Sequence, residues 1–426
     1  MKDIYEINQE KEKAIIATFI RKGEDREVAF EHLKELRLLV ETAGAEIGDE
    51  MFQELPNPNV ATLFGKGKVE DLKELIKDND AKMVVFDNEL SSVQVRNLSN
   101  ELQVKVLDRS GIILDIFANN ARTLEAQLQV ELAQNQYLLT RLSRMWTHLS
   151  KQYGGIGTKG PGETQIETDR RIIRNRIITL KEKLKVIDIQ NYEQRKSRGA
   201  FPRFALVGYT NAGKSTLMNA ITNAGVYVEN KLFATLSTIV RNFSLPSGKK
   251  ALISDTVGFI RKLPHHLIAS FRSTLAEARE SDIFLIVVDV SDKNFREQIQ
   301  VVIDTLTDLN IQDKPIIYVF NKIDQLEYLE QIKQIEHQYT NSVFISAERN
   351  INILQLLEKM ENEFDKLNKN VHLFFPYTKM QLINKIYEIS KVMNREDTDQ
   401  GINLEISYPM EMEAKIKKSY ADFIVF

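Results

Sequence analysis

The chain contains no cysteine and a single tryptophan. Without thiols there is no disulfide, no thiolate zinc site, no iron–sulfur cluster and no thiol nucleophile. That absence fits a reducing compartment, so the expected location is the cytoplasm, with peripheral attachment to a membrane as the alternative. The six histidines (His32, His148, His265, His266, His337 and His372) show no metal-ligand spacing. Long apolar runs are also missing. The longest buried-type stretch, Ile283 to Val290, is far short of the roughly 20 residues that span a bilayer, so no stable membrane insertion is expected. Met1 to Glu12 is mostly polar and reads as no signal peptide. A net charge of −3 supplies no overall basic field. What is present is ordinary for a folded chain: 43% hydrophobic and 27% charged residues exclude global disorder and low complexity. A length of 426 residues suggests about two to four domains.

Charge is unevenly spread. Residues 1–120 carry 16 Lys+Arg against 24 Asp+Glu, whereas residues 121–199 carry 15 against 8. A basic segment inside an acidic chain marks either a solvated helical surface or a face for a polyanion. Before it, strand-like runs (Ala14–Ile20, Lys82–Phe86) alternate with helix-like ones (Glu27–Ala43, Val69–Ile76, Ser91–Leu102), which predicts a parallel sheet with crossover helices. The basic segment itself holds two heptad seams. One runs through Leu128, Leu132, Asn135, Leu139, Leu142, Trp146 and Leu149. The other runs through Ile166, Arg170, Ile173, Ile177, Leu180, Leu184 and Ile187. Five glycines and a proline between Tyr153 and Glu163 interrupt them. The economical reading is an antiparallel helical hairpin with a glycine-rich tip, ringed by Lys151, Lys159, Arg170, Arg171, Arg174 and Arg176.

Arg195 to Gly199 reads as a linker, after which strand–helix alternation resumes. Phe204-Ala-Leu-Val207 runs into Gly208-Tyr209-Thr210-Asn211-Ala212-Gly213-Lys214-Ser215-Thr216. This is a phosphate-binding loop in its strand-to-helix setting. Successive backbone N–H groups and a helix N-terminus face phosphate oxygens, Lys214 reaches the β/γ-phosphates, and Ser215 ligates Mg²⁺. Leu252-Ile-Ser-Asp255 ends in an acid suited to hold Mg²⁺ through water, and the Gly258 N–H senses the γ-phosphate. Asn321-Lys322-Ile-Asp324 closes another strand. The Asp324 carboxylate accepts from the N1–H and N2–H₂ edge of guanine, a pair that adenine lacks. Ser346-Ala347 follows a further strand and offers backbone to guanine O6. Four motifs in order, each at a strand's C-terminal end, predict a GTPase domain. The tail (strands His372–Tyr377 and Ile402–Tyr408, helix Met380–Val392) carries no legible motif.

With these motifs, Gly65-Lys-Gly-Lys68, the stretch from Leu124 to Arg171, and above all Gly154-Gly-Ile-Gly-Thr-Lys-Gly-Pro-Gly-Glu-Thr-Gln165, the chain resembles the HflX family of translational GTPases. The resemblance implies an α/β multidomain protein: an N-terminal α/β domain (1–120), the hairpin (121–198), a GTPase domain (199–368) and a small α+β C-terminal domain (369–426). It implies a monomer that binds GTP/GDP with Mg²⁺ and docks on the large ribosomal subunit and its rRNA. Contact would come through the tip residues Gly154, Gly155, Gly157, Lys159, Gly160 and Gly162 with Arg170 and Arg171. Splitting or rescue of stalled or hibernating ribosomes is the implied role. A regulatory scaffold or assembly factor that rarely hydrolyses GTP is the alternative. ATP at the N-terminal domain is a further partner that the family suggests.

The residues also depart from the usual pattern. Phe259 stands where many GTPases have a water-orienting glutamine, so slow intrinsic hydrolysis is expected. Asn211 either stabilises its loop or coordinates K⁺. The first switch is expected to offer Thr235 to Mg²⁺, with Thr238 as a rival. Lys214, Thr235 and Gly258 are the expected catalytic set.

Overall fold

The computed structural model describes residues 11–142, 161–196, 201–222, 232–233, 235, 238–262, 276–311, 313–326, 330–409 and 412–425. Three sheets organise it. The first, in the order β2-β1-β3-β4, is parallel throughout and uses β1 (Lys13–Arg21), β2 (Glu46–Leu55), β3 (Met83–Phe86) and β4 (Lys105–Asp108). Crossover helices α1 (Arg26–Thr42), α2 (Lys66–Asp78) and α3 (Ser92–Leu102) join its strands, and α4 (Arg109–Asn120) follows. Asp25 and Ser91 cap α1 and α3, the latter in a reciprocal capping box with Gln94. Gly65-Lys-Gly-Lys68 opens α2, with the Gly65 N–H donated to the Gln53 Oε1.

Helices α5 (Leu124–Leu142) and α6 (Pro161–Lys196) pack along the heptad seams, where Leu128 and Leu132 meet Ile177, Leu180 and Leu184. Pro161 is the first residue of α6, where a missing N–H is harmless. The Arg176 guanidinium pairs with Glu131 across the two helices, and Asn191 donates to Glu125. The glycine-rich tip, including Gly154, Gly155, Gly157, Lys159 and Gly160, lies outside the described residues, and Gly162 lies in the first turn of α6. Arg170 and Arg171 follow on α6, Arg171 exposed. The hairpin is anchored to the first sheet at Asp108, which accepts from the Tyr137 hydroxyl at 2.7 Å and pairs with Arg141.

The second sheet runs β10-β9-β8-β5-β7-β6. Its strands are β5 (Arg203–Gly208), β6 (Ile239–Ser244), β7 (Lys250–Asp255), β8 (Ile283–Asp289), β9 (Ile316–Asn321) and β10 (Ser342–Phe344), and only β6 is antiparallel. Because β5, β7, β8, β9 and β10 are parallel, their C-terminal ends share one edge, where ligands bind in open α/β sheets. Helix α7 (Lys214–Thr222) begins at that edge directly after β5. The third sheet, β12-β13-β11-β14, is antiparallel and comprises β11 (Asn368–Pro376), β12 (Lys391–Thr398), β13 (Gly401–Pro409) and β14 (Ile424–Val425). The helix expected to extend to Val392 ends at Ile389, and Val392 already belongs to β12. No described helix is long and apolar enough to cross a membrane.

Candidate functional site

At the edge of the second sheet, the loop from Gly208 to Gly213 turns tightly into α7. Gly213 adopts φ +92°, and a Cβ there would meet the Asn321 side chain at 2.3 Å, so both conformation and space demand glycine. Asn211 adopts φ +61°, a left-handed conformation that asparagine tolerates better than most residues. Asn321 is buried and ties two loops together: its Nδ2 donates to the Ala212 carbonyl at 2.9 Å, and its Oδ1 accepts from the Ala347 N–H at 2.9 Å. Thus the first and last motifs are braced by one side chain. Ser346 is fully buried, and its hydroxyl accepts from the Arg349 N–H. Lys322 sits in the left-handed region and pairs with Asp289 at 2.6 Å. The Asp324 side chain is 6% exposed and faces the Arg349 guanidinium at 3.4 Å.

Lys214 is buried and donates to the Gly208 and Tyr209 carbonyls at 3.1 and 2.7 Å. Burial lowers its ammonium pKa to about 8, partly opposed by Asp255. Burial also pushes the Asp255 carboxyl above the usual carboxylate range, against the pull of Lys214, Ser215 and Thr235. Thr216 occupies the first turn of α7.

Three oxygens converge beside Lys214. The Ser215 hydroxyl donates to the Asp255 Oδ2 at 2.6 Å and lies 3.0 Å from the Thr235 hydroxyl. Thr235 in turn donates to Asp255 at 3.3 Å. The other carboxylate oxygen, Asp255 Oδ1, is buried and has no hydrogen-bond partner among the described residues. A hard, oxygen-seeking cation such as Mg²⁺ suits this donor set, and Ser215, Thr235 and Asp255 are the residues that would hold it.

Gly258 lies directly on the phosphate loop: a Cβ there would fall 2.9 Å from Thr210 and 3.0 Å from the Lys214 Nζ. The contact is held by a short ladder. Phe259 N–H donates to the Gly208 carbonyl at 3.0 Å, and Thr210 N–H donates to the Phe259 carbonyl at 2.8 Å. The phenyl ring of Phe259 packs in the apolar core with Ala205, Val207 and Phe284.

Motif reading missed a polar junction on the other side of this loop. The Tyr209 hydroxyl donates to Glu35 on α1 and accepts from the Arg261 N–H at 2.8 Å. Glu35 pairs with Arg109, which also pairs with Asp87 at 2.7 Å, and Asp87 pairs with Lys262. Arg109 and Asp87 are each 1% exposed. Arg109 and Lys262 hold the Asp87 carboxyl below the usual range despite its burial. Nearby, the Phe233 ring packs edge-on against Phe117 at 4.7 Å, and its carbonyl accepts from Asn120. The first domain's core is therefore continuous with Tyr209, Leu232, Phe233, Val257 and Ile260. The sequence signal was slight: an acid ending buried strand β3 and an arginine opening apolar helix α4. Neighbouring His265 and His266 lie outside the described residues.

Known proteins show the same combination of parts. Profiles described as GTP-binding GTPase N-terminal, GTP-binding GTPase Middle Region and 50S ribosome-binding GTPase match residues 30–118, 120–198 and 203–322. The GTPase HflX of Caldanaerobacter subterraneus subsp. tengcongensis is 43% identical over 99% of this chain and 95% of its own. That of Escherichia coli is 40% identical over 89% and 90%. A GTP-binding protein from Sulfolobus solfataricus, solved with GDP, is 25% identical, covers 83% of this chain and 99% of its own, and superposes with a TM-score of 0.43.

Proposed function

The chain belongs to the HflX family of GTPases, and on that premise we propose that it binds the large ribosomal subunit and couples GTP turnover to splitting or rescue of stalled or hibernating ribosomes. GTP hydrolysis is the family activity. For the nucleotide we assign Gly208–Thr216 and Lys214 to the phosphates, Asn321, Lys322 and Asp324 to guanine, and Ser346-Ala347 to its O6 edge. Ser215, Thr235 and Asp255 would hold Mg²⁺, which when bound neutralises charge on the β- and γ-phosphates. Lys214 orients the same phosphates, and the Gly258 N–H binds the γ-phosphate once the Gly208–Phe259 ladder opens. Asn211 is the side chain that would coordinate K⁺. Exchange of K⁺ for Na⁺ should then slow hydrolysis, and an unchanged rate ends that assignment.

The observation that carries the coupling is the position of the two switch segments. Leu232, Phe233 and Thr235, together with Val257–Lys262, lie between the phosphate loop and the first domain. A change at the γ-phosphate must disturb Phe233 against Phe117 and Lys262 against Asp87. The nucleotide state is thereby felt beyond the GTPase domain. The basic hairpin, with Arg170, Arg171 and the Gly154–Gly162 tip, is the expected rRNA contact, so affinity should fall steeply with salt. We assign the units 1–120, 121–198, 199–368 and 369–426 in a monomer. The test is GTP hydrolysis with and without purified large subunits, followed by sedimentation of intact ribosomes with the GTP-loaded protein. Stimulated turnover and separated subunits are expected. Nucleotide binding without stimulation would favour a GTP-binding scaffold instead.

A further inference from the structure

Phe259 leaves the attacking water without its usual guide, and its ring is locked in the core. We infer that the Thr210 hydroxyl orients that water in this enzyme. The inference rests on the nucleotide site proposed above.

Three observations carry it. First, Thr210 is in direct contact with the segment that replaces the glutamine: its N–H bonds the Phe259 carbonyl at 2.8 Å. Second, its Cα and Cγ2 border Gly258, the residue that meets the γ-phosphate, each 2.9 Å from a Cβ placed there. Third, its hydroxyl is buried and has no hydrogen-bond partner among the described residues. Four neighbouring hydroxyls are committed. Thr256 donates to the Leu206 carbonyl, Tyr209 is bonded to Glu35, and Ser215 and Thr235 meet Asp255. A buried hydroxyl without a partner is destabilising, and a ligand that enters with polar atoms removes that penalty. One staggered step about the Thr210 Cα–Cβ bond puts the hydroxyl where the methyl now stands, against Gly258.

In the step itself, the water oxygen bonds to the γ-phosphorus as the bond from that phosphorus to the β,γ-bridging oxygen breaks. The electron pair of the broken bond leaves with GDP, and the water's proton passes to an oxygen of the departing phosphate. Thr210 keeps its own proton. It accepts a hydrogen bond from the water and sets the direction of attack, which a valine of the same shape cannot do.

The experiment uses the full chain carrying Thr210→Val or Thr210→Ser. It measures single-turnover GTP hydrolysis together with affinity for a fluorescent GDP and for a non-hydrolysable GTP analogue. Thr210→Val should slow hydrolysis about ten- to a hundred-fold, leave both affinities within about three-fold, and not lower the thermal midpoint of the free protein. Thr210→Ser should stay within about three-fold of the parent rate. Wild-type hydrolysis by Thr210→Val would overturn the inference. So would a Thr210→Ser rate as slow as that of Thr210→Val, which would mean packing. Affinity lost in step with rate would assign Thr210 to binding alone. The affinity of the parent chain reports separately on the nucleotide site, so the failure of that reading would be seen before any rate is compared.

Discussion

At the scale of single residues, burial decides what each charge can do. The proposed role of Asp324 is to read a hydrogen-bond pattern, so Asp324→Asn should weaken GTP by at least about a hundred-fold and favour xanthosine triphosphate, whose O2 accepts from an amide. Competition binding with both nucleotides checks this, and unchanged GTP affinity would remove Asp324 from the guanine site. Lys214 makes a pH signature. Its folded pKa of about 8 lies below its ordinary 10.5, so between those values the unfolded chain binds more protons. The nucleotide-free protein should gain stability from this group as pH rises from about 8 toward 10.5, with the burial cost fully present below that window. Thermal melting of the parent against Lys214→Met from about pH 8 to about pH 10, inside that window, should show the difference narrowing. In the polar junction, Asp87→Ala leaves the buried Arg109 with Glu35 as its remaining carboxylate and should cost about 1.5–3 kcal/mol. Lys262→Ala removes an ammonium that is 41% exposed and should cost about 1 kcal/mol or less. Denaturant titration of both variants separates them.

At the scale of elements, legibility followed burial. Strands β5, β7, β8 and β9 are covered on both faces, and their apolar runs announced them together with the glycine, acid or asparagine that ends each. The missed strands are edges. Edge strand β2 (Glu46–Leu55) carries four acids and buries one side chain, Met51. Likewise β6 and β12 pair on one side only. An edge strand fills half its hydrogen bonds and one face, so its sequence is free to be polar and its period is faint. Helix α4 was missed for the opposite reason: Arg109 to Leu114 are all buried, which erases the amphipathic rhythm. The hairpin seam, by contrast, could be read residue by residue. Leu180 is fully buried there, so Leu180→Ala should cost about 2–5 kcal/mol. Ile178, two positions away and 55% exposed, should tolerate alanine within about 0.5 kcal/mol. Equal losses in helical melting would contradict the seam.

At the scale of the whole molecule, the contact between first domain and GTPase domain is the pH-sensitive joint. His32 lies there, its pKa lowered to about 4 by burial first and then by Lys262, with Arg261 and Arg109 adding and Asp87 opposing. Between about 6.5 and 4 the unfolded chain takes up a proton that the folded joint refuses, so stability should fall as pH drops through that window. Protection factors of the Phe117 and Arg261 amides, taken relative to the intrinsic exchange rate at each pH, should fall at pH 5 relative to pH 7, and His32→Asn should flatten that response. The sequence alone carried the expected local chemistry of the phosphate loop and of the proposed guanine carboxylate, because each lies in a short motif directly after a strand, whereas Ser215, Thr235 and Asp255 meet only in the fold. The sequence likewise settled the helical seam, where a seven-residue repeat is geometry in itself. Only the tertiary structure joined Tyr209 to Glu35, Lys262 to Asp87 and Phe233 to Phe117. Those partners lie more than a hundred residues apart. Each is an ordinary polar or apolar residue until packing takes it out of water, and packing is a property of the assembled surface rather than of any stretch of chain.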